Sequence, residues 1–254
     1  MRLVTVGTGT VVPDPDRASA CFWVEHADCR LLLDCGAGGL QGLARYGLAW
    51  SELDHLFISH FHADHIGEIP SLIFALRHAL ARPRTKPLHI WGPEGSRQLF
   101  YAWATALGSW LVEPGFELPI HEVRPGETAD LGPFEARFQS TEHTDESLAI
   151  RLTSDGLALG YTGDTGPDEA LPAFFGGVDL LVAECSLPDD LVGGNHLSPT
   201  RLARLAAAAG VERLAVAHVY PQLQDANLPA LLAEAGYEGE VIMATDGLEL
   251  TIQS

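Results

Sequence analysis

The segment Ser59-His60-Phe61-His62-Ala63-Asp64-His65 places three imidazoles and one carboxylate within six residues. Leu56-Phe57-Ile58 before it reads as a short buried strand, and Ile66, Ile69, Ile73, Leu76 and Leu80 after it follow helical spacing. The cluster therefore falls on the turn at the C-terminal end of a strand, where α/β sheets gather their ligands. His60 and His62, at alternate positions, share one direction. Asp64 and His65, past the bend, aim at a second point nearby. Such a set suits two adjacent metal ions better than one, and imidazole with carboxylate favours zinc, with manganese or iron also compatible.

The elements that must hold this turn follow from hydrophobic period and breakers. Strands are predicted over 2–6, 20–25 and 30–34, then a turn at Gly36 to Gly39 and a short helix to about Tyr46. Strand 54–58 delivers the histidines, and a helix over 66–80 follows. A strand from Pro87 to Trp91 leads to a helix over 94–107 that offers Leu99, Trp103 and Leu107 to a core. The second half restarts with strands near 118–123, 134–140, 147–152 and 157–161, then a helix over 168–174 and a strand from Val178 to Ala183. Helix 198–209, strand 213–217, helix 227–235 and a closing strand pair, 240–244 and 248–252, complete the chain. Two runs of strands, each followed by helices, predict an α/β fold with two sheets face to face and helices outside, a four-layer αββα sandwich.

Further donors stand at strand ends. His143 follows the alternating strand that ends in Gln139-Ser140, and Asp164 lies in Thr162-Gly163-Asp164-Thr165-Gly166. His218 follows the apolar run Leu214 to Ala217. Any one of these alone reads as a satisfied loop residue. In this order, after the first cluster, they resemble the later motifs of the metallo-β-lactamase superfamily, whose HxHxDH signature the first cluster also resembles. The resemblance implies His60, His62 and His143 on one metal, Asp64, His65 and His218 on the second, and Asp164 bridging them. It implies a hydroxide shared between the two ions as nucleophile. Asp34, in Leu33-Asp34-Cys35-Gly36, resembles the superfamily's first motif and is the candidate to orient a ligating imidazole.

Val6-Gly7-Thr8-Gly9-Thr10 with Pro13 and Arg17, the Leu33 to Gly38 stretch, and Leu88-His89-Ile90-Trp91-Gly92-Pro93 look like the ribonuclease Z-type branch. Asn195-His196-Leu197-Ser198 is similar to an HxS motif of the phosphodiesterase branch, which implies a non-ligand histidine, His196, next to the substrate phosphate. Glu184 matches the glutamate that orients it. The implied catalytic residues are thus Asp64, His196 and Glu184, and the implied activity is a binuclear phosphodiesterase acting on a small or nucleotide-type phosphodiester.

The departures bear on the substrate. Transfer-RNA enzymes of this type carry a protruding arm, yet here His143 runs directly into Leu148 to Leu152, a turn at Ser154-Asp155-Gly156, and Tyr161. Val219-Tyr220-Pro221 replaces the Ser and Arg that tend to follow the last ligand there. A tRNA 3′ endonuclease is therefore the alternative reading, beside a lactonase or thioesterase on the same donors. The latter lacks support from the third motif, where His143 sits in Glu142-His143-Thr144-Asp145. A non-enzymatic metal scaffold would be expected to have lost donors, and none is missing.

Composition sets outer bounds. The 254 residues are 46% hydrophobic, with no low-complexity linker or solenoid repeat, which predicts one domain over 1–254. The N-terminus MRLVTVGTGT shows no leader pattern, and no apolar run reaches the roughly 18 residues that span a bilayer. Four cysteines without CxxC spacing suit a cytoplasmic setting with free thiols, although Cys21 and Cys29 could face each other across a hairpin. Net charge of −19 argues against an extended nucleic-acid partner, but not against a small anion beside two dications. The apolar helix 66–80 is a possible homodimer face. Trp91, Trp110 and Tyr220 are possible pocket aromatics, with core packing the simpler role. His26, His55, His78, His89 and His121 fall outside every motif.

Overall fold

In the computed structural model, which describes residues 1–253, two seven-stranded sheets stack and helices cover both outer faces. The first sheet contains β1 (Arg2–Gly7), β2 (Cys21–His26), β3 (Cys29–Leu33), β4 (His55–Phe57), β5 (His89–Gly92), β6 (Ile120–Glu122) and the returning C-terminal β14 (Leu248–Thr251), in the order β14-β1-β2-β3-β4-β5-β6. The second contains β7 (Thr128–Leu131), β8 (Phe134–Ser140), β9 (Leu148–Ser154), β10 (Leu157–Tyr161), β11 (Leu180–Glu184), β12 (Arg213–Ala217) and β13 (Glu240–Met243), in the order β13-β12-β11-β10-β9-β8-β7. Each sheet is antiparallel through its first strands and parallel from β3 to β6 or from β10 to β13.

The apolar runs are explained by burial on both faces of each sheet. Leu31 and Leu33 point into the core between the sheets with Phe22, Phe57, Phe138 and Val182. Leu32, between them, faces the helices with Trp23, Leu56 and Phe100. In the second sheet Leu180 and Val182 face inward, while Leu181 and Val216 meet Leu202 and Leu232. The helices are α1 (Gly39–Arg45), α2 (Ala63–Ile66), α3 (Ile69–His78) and α4 (Ser96–Leu107) on the first sheet. On the second they are α5 (Leu171–Phe174), α6 (Pro199–Ala209), α7 (Pro221–Gln224) and α8 (Leu228–Glu234).

Several boundaries differ from expectation for local reasons. The helix predicted over 66–80 is two helices, because Pro70 has no N–H to give residue 66 and its ring would clash there; it opens α3 instead. In α4 the buried anchor is Phe100, Leu99 and Trp103 only flank the core, and Leu107 is exposed. Edge strand β7 has only Leu131 buried and so carries no apolar alternation to read. Cys21 lies on the helix side of its sheet beside Cys35, whereas Cys29 faces the other sheet, so the two do not meet across the hairpin. All four cysteines are buried and free. α3 turns Ile69, Leu72, Ile73 and Leu76 inward and leaves Phe74 outside against His78 and Trp110. Among the described residues no helix is long and apolar enough to cross a membrane.

Candidate metal centre

β3 and β4 run parallel in one sheet, as do β8, β10, β11 and β12 in the other, and residues from the loops at their C-terminal ends come together along one edge of the sandwich. Asp34 follows β3, and His60 and His62 follow β4. Asp64 and His65 sit in the short helix α2. His143 follows β8, Asp164 follows β10, Glu184 ends β11, and His218 follows β12. Two approaches demand glycine. A Cβ on Gly36 would stand 2.0 Å from the Asp64 carbonyl oxygen, and Gly163, at φ +57°, lies against Ser59. Asp34 and His218 themselves adopt left-handed backbone, at φ 56° and 53°.

The ten residues singled out from sequence converge. His60, His62, His143 and Asp164 bring donor atoms within 4.8 Å of one another, and so do Asp64, His65 and His218. Asp164 joins the two groups. Its Oδ2 is 3.5 Å from His218 Nε2, 3.7 Å from His143 Nε2 and 3.9 Å from His60 Nε2, and its Oδ1 is 3.4 Å from His65 Nε2. His196 stands with Asp164 and His218 as a third group of the same kind.

The surrounding hydrogen bonds fix which nitrogen of each ring faces this point. Buried Asp34 accepts from His65 Nδ1 at 2.7 Å, from the Ser59 amide and hydroxyl at 2.7 Å each, and from the Tyr161 hydroxyl at 2.6 Å. With its proton on Asp34, Ser59 Oγ accepts from His60 Nδ1 at 3.0 Å. His143 Nδ1 donates to the Asn195 carbonyl at 2.8 Å. The Nε2 atoms of His60, His65 and His143 are thereby the ones turned towards the Asp164 carboxylate. His60 Nε2, His65 Nε2 and Asp164 Oδ1 are buried with no hydrogen-bond partner. Burial, then the charge of His65, holds His60 far below the usual histidine range, while Asp164 and Asp34 outweigh burial and raise His65 well above it. Burial would raise Asp164, but His218, His65 and His60 outweigh it and keep the carboxylate ionised. Imidazole nitrogens that face a carboxylate across 3.4–3.9 Å, two of them without a hydrogen-bond partner, have the spacing of a coordination shell with bonds of about 2.0–2.2 Å, and they fit divalent cations.

Asp34, the candidate to orient a ligating imidazole, holds His65 Nδ1. Sequence reasoning missed Tyr161 on Asp34, Ser59 between Asp34 and His60, and Ser186 between Glu184 and His218. Ser59 adjoins the first cluster, and Ser186 lies two places after Glu184; that adjacency is the only signal the chain offers for either. His196 donates through Nδ1 to Glu184 Oε1 at 2.9 Å. Burial lowers its pKa, but the bond and charge of Glu184, with Asp164 and Asp64 beyond, outweigh that and leave it raised. Tyr220 walls this side, its ring 5.6 Å from His218 and 6.4 Å from His196. Trp91 instead stacks on His121 and Trp110 packs on Phe74, both away from the site.

Known proteins share this fold. Residues 29–219 match the model of the β-lactamase superfamily domain. The ribonuclease Z of Haloferax volcanii is 30% identical over 308 aligned positions, covering 99% of this chain and 95% of that one. The metallo-β-lactamase fold protein YhfI of Bacillus subtilis superposes with a TM-score of 0.84, at 25% identity over 98% of both chains. The short form of human tRNase Z gives 0.82, at 21% identity over the full length of both. With its two converging donor groups on the shared edge of two stacked sheets, the chain belongs to the β-lactamase superfamily, as a metal-dependent hydrolase of the metallo-β-lactamase fold related to ribonuclease Z.

Proposed function

We propose that this chain is a single-domain binuclear phosphodiesterase that takes a small or nucleotide-type phosphodiester, with zinc as the physiological metal. One observation carries the reading. His196 stands beside the two donor groups with its Nδ1 committed to Glu184, so its other nitrogen is free to meet a phosphate oxygen. His60, His62 and His143 would hold one ion, Asp64, His65 and His218 the other, and Asp164 both. Two such ions supply a nucleophile at neutral pH and offset the charge that develops on phosphorus. The side chains do the rest. Asp64, held below the usual carboxylate range by His218 and His65 against the opposing effect of burial, orients the attacking water and accepts its proton. Protonated His196 donates from Nε2 to a non-bridging oxygen or to the leaving oxygen, and Glu184 fixes the ring and sustains its charge.

Ribonuclease Z relatives support a second reading, a tRNA 3′ endonuclease. Three observations favour the small diester. The 308 aligned positions exceed the 254 residues here, so the relative has segments this chain lacks. β9 and β10 are joined by the two-residue turn Asp155-Gly156, with no room for an arm. Net charge is −19.

The test is turnover of zinc- and manganese-loaded protein on bis(p-nitrophenyl) phosphate, beside a lactone, a thioester and a 3′-extended tRNA. Diester cleavage that disappears in Asp64→Ala supports the proposal. Silence on the diester with cleavage of a carbon ester or of the tRNA replaces it with that reading.

A further inference from the structure

Ser186 sits at the centre of four polar contacts and is fully buried. Its Oγ lies 2.5 Å from Glu184 Oε2, 3.1 Å from His218 Nδ1, 3.3 Å from the His218 carbonyl oxygen and 3.3 Å from His196 Nδ1. A serine hydroxyl has one proton to give and two lone pairs to receive with. The carboxylate is its best acceptor, and 2.5 Å is the spacing of a charge-assisted O–H···O⁻ bond. The proton therefore goes to Glu184, and the lone pairs turn to the imidazoles.

This bears on His218. With Ser186 Oγ as an acceptor at 3.1 Å, its Nδ1 carries a hydrogen, and in the neutral ring Nε2 is left as a lone pair. The opposite side of the ring pulls the other way. Asp64 Oδ2 stands 3.3 Å and Asp164 Oδ2 3.5 Å from His218 Nε2, and either carboxylate would take a hydrogen bond from a proton there. A proton on Nε2 would block the one atom this ring has to offer a cation. Only a competing acceptor on the Nδ1 side prevents it, and Ser186 Oγ is the side-chain acceptor in place. The main chain holds both partners. Cys185 donates to Ala217 at 3.1 Å, Tyr220 donates to Ser186 at 3.1 Å, and the left-handed His218 donates to Thr8 at 2.9 Å.

We infer that Ser186 is a positioning residue: it fixes the Nδ1–H tautomer of His218 and, by sharing Glu184 with His196, ties that ligand to the histidine proposed to meet the phosphate. The same device stands on the other side of the centre. There Ser59 donates to Asp34 and accepts from His60, while Asp34 takes His65 directly. In each half, one buried carboxylate holds one imidazole itself and a second through a serine. The inference rests on the two-metal reading above, in which His218 is a ligand.

Two readouts test it, and neither is turnover. Long-range ¹H–¹⁵N spectra of the metal-free protein report which nitrogen of His218 carries the hydrogen, and competition with a chromogenic chelator reports the affinity of each zinc ion. In the wild type and in Ser186→Thr, which keeps the hydroxyl, His218 is expected as Nδ1–H. In Ser186→Ala the hydrogen moves to Nε2, and one of the two zinc ions binds roughly 10- to 100-fold more weakly while the other is unchanged. Ser186→Ala that keeps the Nδ1–H form and both affinities within about twofold overturns the inference. Should the alanine variant not fold, Ser186→Cys, with its poorer acceptor, is expected to lose the Nδ1–H form where threonine keeps it; retention in the cysteine variant overturns the inference equally. A wild type that binds no zinc defeats the two-metal reading, while the tautomer spectra still decide for or against Ser186.

Discussion

The imidazole of His196 is the proposed proton donor, so its charge governs turnover. Its pKa is raised above the usual value of about 6.5, since Glu184 outweighs burial. The protonated ring is the proposed donor, so turnover is present below that raised pKa and falls as pH rises through it. Removing the Glu184 charge while keeping its shape lowers the pKa. A kcat–pH profile of Glu184→Gln should therefore show its alkaline limb displaced to lower pH, and an unmoved limb would separate His196 from that limb. His196→Ala should lower kcat about 10²- to 10⁴-fold while both zinc ions remain, as read by metal analysis. The site donors were legible because a metal centre demands particular side chains at strand ends, and those types are rare enough to stand out. Ser59, Tyr161 and Ser186 were not. A hydroxyl is a common residue, and what matters about Ser186 is a contact with a ring 32 positions away.

Among the elements, the parallel row β4-β5-β6 carries a consequence unrelated to the site. His55 and His89 pair across the first two strands, Trp91 and His121 across the next, and His89 Nδ1 meets His121 Nε2 at 3.1 Å. The Trp91 indole donates to His55 Nδ1 at 3.1 Å. Burial, then His89, push His55 down to about 4, with His121 and Lys86 adding to this and Asp54 opposing it. An unfolded histidine takes its proton near pH 6.5, well before the folded one does. The stability that neutral His55 contributes is thus fully present above about pH 6.5 and is lost as pH falls from there towards about 4. The difference in urea-unfolding free energy between wild type and His55→Gln should shrink by about 2 kcal/mol between pH 7.5 and pH 4.5. Strands of this kind were readable where both faces are buried, as at Leu31 to Leu33. β7 escaped because an edge strand with one buried side chain has no pattern, and the break in the helix over 66–80 escaped because periodicity runs on across Pro70.

At the scale of the molecule, the centre joins loops from both sheets. His60, His62 and His65 come from the first, His143, Asp164 and His218 from the second. Cations held there bind the folded chain and not the unfolded one, so they clamp the two sheets together. Stripping the ions from zinc-loaded protein with a chelator should lower Tm by about 5–10 °C, from about 2.7 kcal/mol at a hundredfold excess over Kd and a few degrees per kcal/mol at this size. An unchanged melting curve would mean that the edge is organised by hydrogen bonds alone. The layering was visible in the sequence as two runs of strands, each followed by helices. The return of β14 to pair with β1 was not, since that choice of partner spans nearly the whole chain and leaves no local mark.

His218 and Asp34 both sit against the grain of the L-amino-acid backbone, at φ 53° and 56°. A side chain with a Cβ gives up roughly 1–2 kcal/mol to stand there, and glycine does not. On the proposed function these are two positions where the site needs a side chain and folding alone would prefer none. His218→Gly and His218→Ala discard the same imidazole and the same activity, yet the glycine variant should unfold at a higher urea concentration by a margin of about 1 kcal/mol. A chain selected only to persist would drift towards glycine at residue 218.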